Sequence, residues 1–132
     1  FGRHLGIAYQ IYDDLVDFFG EETRIGKTLG TDLASGKLPL PLLALLDRLP
    51  PAEAAALRAE VAGQRPPQLA LRLRQMRELA IFPLVADAGQ AEIAAATAAL
   101  HEWPGHPPTP LLLGLCDVLQ AQVESLRPIG AA

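Results

Sequence analysis

The sequence predicts an all-α protein organised as one domain. Apolar residues recur at spacings of three and four, prolines and glycines divide the chain into helix-sized segments, and no useful stretch alternates with period two. Half of the 132 residues are hydrophobic, enough for a chain of this length to bury a real core.

Residues 1–20 predict the first helix, apolar almost all round except for one polar stripe. Residues 21–37 read as a glycine-punctuated loop with a turn. An apolar helix over 38–49 follows, opened by Pro39 and Pro41 and closed by Pro50-Pro51. An alanine-rich helix runs from Pro51 to about Ala62 and stops at Gly63, before a loop holding Pro66-Pro67. Residues 68–87 place Leu69, Leu73, Met76, Leu79 and Ala80 at helical spacing opposite Arg72, Arg74 and Arg77, which reads as a solvated basic face. Pro83 is expected to kink or split that helix, and Gly89 to separate it from another over about 90–102. A proline-rich connector over 101–108 leads to Thr109 and Pro110, read as N-cap and first residue of a last helix reaching about Leu126.

The first helix carries the most informative pattern. Gln10, Asp13, Asp14 and Asp17 fall at i, i+3, i+4 and i+7, while Leu5, Ile7, Ala8, Tyr9, Ile11, Tyr12, Leu15, Val16 and Phe18 cover most other directions. Carboxylates at such spacing usually mark a solvated face. A helix with no second polar face belongs in a core, so these acids must meet a water-filled cavity or a cation. Downstream, Gly26-Lys27-Thr28-Leu29-Gly30-Thr31-Asp32-Leu33-Ala34-Ser35-Gly36-Lys37 contains the only two lysines among 11 basic residues. Where arginine otherwise supplies positive charge, a retained lysine suits a compact point charge on phosphate. Acid stripe, lysines and glycines together point to a divalent metal bridging a phosphorylated ligand. Mg2+ fits best, since it is held by one or two carboxylates plus phosphate oxygens and waters. The spacing matches neither a Walker loop, a dinucleotide fingerprint nor an EF-hand.

The segment from Gly6 to Asp17, followed by that from Gly26 to Pro41, resembles the second aspartate-rich motif and lysine loop of the polyprenyl diphosphate synthases, the head-to-tail trans-prenyltransferases. The wording of the loop is most similar to medium- and long-chain members, and the close match covers residues 1 to about 46. The resemblance implies the C-terminal portion of an isoprenoid-synthase-type helical bundle across residues 1–132, with the half bearing the first aspartate-rich motif absent and the fragment inactive alone. It implies Mg2+ held by Asp13 and Asp17 with Asp14 beside them. It implies that Lys27 and Lys37 contact an allylic prenyl diphosphate, and that Tyr9 and Gln10 lie near isopentenyl diphosphate. Asp32 is expected to bond backbone amides or to orient a lysine. Two residues depart from the family pattern: Tyr9 stands where Phe is usual, and Pro39 where Thr is common.

The implied reaction breaks an allylic carbon–oxygen bond, so metal and lysines stabilise the departing diphosphate while apolar helix faces keep water from the carbocation. The departing diphosphate is expected to take the final proton. A non-catalytic helical subunit of a heteromeric synthase is the alternative, and intact Asp13, Asp14, Asp17, Lys27 and Lys37 speak against it. A terpene cyclase of similar architecture is disfavoured by the lysine loop.

A net charge of −4 without interleaved aromatics argues against nucleic acid. The lone Cys116 excludes an internal disulfide and, with no secretory signal, leads to the expectation of a cytoplasmic protein. The longest apolar runs are too short to be transmembrane. His101 and His106 read as structural, His4 as a core or surface residue near the cavity. The resemblance implies a homodimer in the full-length protein, and missing partner helices would leave apolar faces of the first helix exposed.

Overall fold

A computed structural model describes residues 1–20 and 29–130, with backbone alone over 128–130. The segment from Gly26 to Thr28, including Lys27, lies outside the described residues. Seven helices and no strands occur among those described: α1 (Gly2–Phe19), α2 (Thr31–Ala34), α3 (Leu40–Arg48), α4 (Pro51–Val61), α5 (Leu69–Glu78), α6 (Ile81–Leu100) and α7 (Thr109–Gly130).

The long helices α1, α6 and α7 form the body, each packed on the other two, and α3 closes one end against α1 and α6. The short helices α4 and α5 pack on α3, α5 also packs on α6, and α2 rests on α4. The main core joins Leu15 and Phe18 of α1 to Leu42 and Leu45 of α3, Leu57 of α4, Met76 of α5, Ile81, Phe82 and Val85 of α6, and Val123 of α7. Burying each such aliphatic or aromatic side chain contributes about 1.5–3 kcal/mol, and this burial fixes α1 as the central element. Phe19 meets Phe82 edge to face, with centroids 5.2 Å apart.

The structure corrects several boundaries. The expected break at Pro83 lies upstream, at Ala80, whose φ of 52° is left-handed. There α5 and α6 meet at a bend of 74°. Pro83 then falls in the first turn of α6, where its missing N–H would have had no helical partner anyway. Gly89 does not divide the helices but lies buried inside α6, where a Cβ would come 3.2 Å from Ile11 Cγ2. Its lack of a side chain is what lets α1 and α6 cross so closely. Thr109 is not the N-cap: its hydroxyl donates to the Trp103 carbonyl at 2.8 Å, while the Pro108 carbonyl accepts the Leu112 N–H at 3.0 Å. α7 continues past Leu126 to Gly130, with Arg127 bonded to Glu124 of its own helix at 2.8 Å and paired with Asp87 of α6 at 3.6 Å.

The basic face expected on α5 is only partly solvated. Arg72 is 1% exposed, its guanidinium paired with the equally buried Glu60 of α4 and donating to Gln75 Oε1 at 2.7 Å. His4 bonds Glu92 at 2.7 Å, His106 stacks edge-on against Trp103, and Cys116 is buried and free. No single described helix is long and apolar enough to cross a membrane. A groove between α1 and α7, lined by Leu5, Tyr9, Leu115, Val118 and Leu119, leaves apolar surface exposed.

Candidate active site

The acidic stripe of α1 runs from an open end to a buried one. Asp13 is exposed, and no hydrogen bond reaches its carboxylate among the described residues. One residue on, Asp14 is 9% exposed: its Oδ2 accepts the Leu40 N–H at 3.0 Å and its Oδ1 accepts from Gln10 Nε2 at 3.1 Å. Asp17, 2% exposed, is fully engaged. Its Oδ1 accepts from the Thr31 hydroxyl at 2.6 Å and the Thr31 N–H at 3.2 Å, and its Oδ2 accepts the Asp32 N–H at 3.1 Å.

Two of the three carboxylates are thus answered by backbone amides at the starts of α2 and α3, the groups that a helix N-terminus leaves without partners. Each start lacks a side-chain cap from its own N-cap residue, which is Gly30 for α2 and Pro39 for α3. The first helix supplies from a distance what local capping does not. Pro39 removes its own N–H, yet the next amide, at Leu40, is the one Asp14 holds. The α1 backbone joins in, since the Asp17 carbonyl accepts the Gly30 N–H at 2.7 Å. The sequence leads to a water-filled cavity or a cation for these acids, whereas amides far along the chain, with Gln10 and the Thr31 hydroxyl, satisfy Asp14 and Asp17. The Thr31-Asp32 pair ahead of Leu33 was the available signal of a helix start.

Gln10, Asp13, Asp14, Asp32 and Lys37 come together around a cavity of about 370 Å³, with Thr31, Leu38 and Pro39 completing its wall. Lys37 Nζ donates to Asp32 Oδ1 at 3.1 Å, so Asp32 does orient a lysine. That hydrogen bond, then the Asp32 charge and more weakly those of Asp17 and Asp13, hold the Lys37 pKa above its ordinary 10.5. Tyr9 is not brought to this cavity: 59% exposed, it lies on the apolar groove toward α7, with its ring 6.3 Å from that of Tyr12. Asp17 lies behind the wall. Lys27 falls outside the described residues.

The donor set can be tested against Mg2+. Among the described residues no three His, Cys, Asp or Glu side chains converge to cage a metal by themselves. Asp13 faces the cavity with both oxygens open, and Asp14 retains lone pairs beyond its two bonds. One or two carboxylates opposite a lysine is the partial set that suits Mg2+ when phosphate oxygens complete its shell, so the residues fit.

An all-α bundle whose aspartate-rich helix faces a lysine-bearing segment defines the structural class. The particular family follows from comparison: residues 1–78 match the polyprenyl synthetase family model, more than half of the chain, and the protein belongs to that family. It is 32% identical over 119 residues to the octaprenyl diphosphate synthase of Escherichia coli (strain K12), covering 89% of this chain and 37% of that one. It is 44% identical over 61 residues to component 2 of the heptaprenyl diphosphate synthase of Geobacillus stearothermophilus, covering 46% of this chain and 19% of that protein. Over 50 residues it is 44% identical to the chloroplastic solanesyl diphosphate synthase 1 of Arabidopsis thaliana, covering 38% and 12%. The chain therefore spans well under half the length of these relatives. No solved structure shows significant similarity.

Proposed function

We propose that this chain forms the metal- and diphosphate-binding part of a Mg2+-dependent prenyltransferase that condenses an allylic prenyl diphosphate with isopentenyl diphosphate. The observation that carries the reading is the shared cavity in which the open Asp13 carboxylate faces the Lys37 ammonium. Family membership and the names of the relatives support it. Asp13, with Asp14 beside it, holds Mg2+, which supplies Lewis-acid stabilisation of the leaving diphosphate when bound. Lys37 binds the diphosphate by charge, released from or shared with Asp32, and Lys27 is proposed to do the same. Asp14 and Asp17 orient the segments that follow α1, keeping Asp32 and Lys37 opposite Asp13. Gln10 steadies Asp14 and lines the isopentenyl side, and Tyr9 borders the apolar path of the prenyl chain. Because the chain matches only 37% of the Escherichia coli relative, the remainder of the reaction centre is proposed to come from outside these 132 residues, in a homodimeric enzyme.

The test is product chromatography on the natural gene product with isopentenyl diphosphate, an allylic primer and Mg2+. Native protein should extend the primer, and Asp13→Ala should lose at least about a hundredfold in kcat, as expected when charge stabilisation of a leaving group is removed. Equal turnover would refute the metal role of Asp13.

A further inference from the structure

The segment over 30–37, which carries Thr31, Asp32 and Lys37, buries Leu33 in the main core and is held on two further sides. One side is Asp17 of α1. On the other, two left-handed glycines allow contacts too close for any side chain. A Cβ on Gly30, at φ +69°, would lie 2.6 Å from the Leu69 methyls, and one on Gly36, at φ +72°, would lie 2.8 Å from the Val61 carbonyl oxygen. Beside the second of these supports lies a cavity of about 620 Å³ bordered by Ser35, Gly36, Glu60, Val61 and Arg65. Leu33, 1% exposed, anchors the middle of the segment in the main core.

Val61 is the last residue of α4 and Leu69 the first of α5. The residues immediately before them, Glu60 and Gln68, are tied by a single carboxylate: Glu60 Oε2 accepts the Gln68 N–H at 3.2 Å and Arg72 Nε at 3.2 Å, while Oε1 takes Arg72 Nη2. Arg72 in turn donates to Gln75, whose amide donates to Glu53. Glu60 is 2% exposed and Arg72 1%. Apolar residues could hold α4 to α5 as well as a buried ion pair does. Only a carboxylate can both fork with a guanidinium and accept the Gln68 amide, which sets the register of Val61 relative to Leu69.

We propose that Glu60 and Arg72 are positioning residues for the lysine-bearing segment, fixing the two supports under Gly30 and Gly36 and thereby the placement of Lys37 opposite Asp13. The inference rests on the diphosphate reading of the cavity above for its functional consequence, and on packing alone for its structural one.

The test uses the full chain as Glu60→Gln and Arg72→Met, with hydrogen exchange read segment by segment and binding of inorganic pyrophosphate with Mg2+ read by calorimetry. Amides over 31–37 should exchange faster by at least about tenfold while those of α1 and α6 keep native rates, and pyrophosphate affinity should fall about tenfold, the lower end for residues that orient ligating groups. Native exchange over 31–37, or acceleration spread evenly over the chain, would overturn the proposal. Should either variant fail to fold, Leu69→Ala removes the support under Gly30 without stranding a charge, and the same selective acceleration is required of it. Native chain that fails to bind pyrophosphate would defeat the diphosphate reading alone, since the exchange data still decide whether the pair positions the segment.

Discussion

Asp13, Asp14 and Asp17 share a stripe of one helix but not an environment, and the difference divides their work. The exposed Asp13 faces the cavity, while Asp17 is closed off by one hydroxyl and two amides. Asp17→Ala strands those donors, so thermal unfolding should show a loss of about 2 kcal/mol, in the range of a lost cap plus an unsatisfied amide. Lys37 makes a prediction in pH. Its pKa is raised by the Asp32 bond, so the lysine's charge, and the stability it contributes, is fully present below pH 10.5 and is lost only as pH climbs through the higher folded value. An NMR titration of the lysine Cε resonances, simple because the chain holds two lysines, should put Lys37 above 10.5 and Asp32→Asn should bring it down. The residue types of the site were readable because so few directions of α1 are polar. Their partners were not, since the amides of Thr31 and Leu40 lie 14 and 26 residues away and amides carry no sequence signature.

At the scale of elements, sequence signals were sound where proline acts alone and misleading where packing decides. Pro50-Pro51 ends α3 and opens α4 as expected. Pro83 drew the break toward itself, whereas the chain turns at Ala80, a residue type with no bias for φ of 52°. Left-handed backbone costs an L residue about 1 kcal/mol, so Ala80→Gly should stabilise the fold by about that amount in denaturant unfolding, with α5 and α6 unchanged. Gly89 looked like a boundary because glycine weakens helices, and only the crossing with Ile11 explains its place inside α6. Arg72 looked solvated because its partner Glu60 sits 12 residues upstream on another helix.

Across the whole molecule, the three long helices hold the acid stripe rigid while the short ones deliver Lys37 to it, and the apolar groove of α1 and α7 remains open. All-α architecture was legible from helical spacing throughout, and the family from two motifs within the first third of the chain. The central claim is that Asp13 meets the metal-bound diphosphate while Asp17 meets only Thr31 and the Asp32 amide of its own chain. The most direct measurement compares kcat and melting temperature of the natural gene product as Asp13→Asn and Asp17→Asn. The account predicts that Asp13→Asn loses about a hundredfold in kcat with native melting, and that Asp17→Asn lowers the melting temperature. An Asp13→Asn protein that turns over at the native rate, or that owes its lost activity to unfolding, would contradict it.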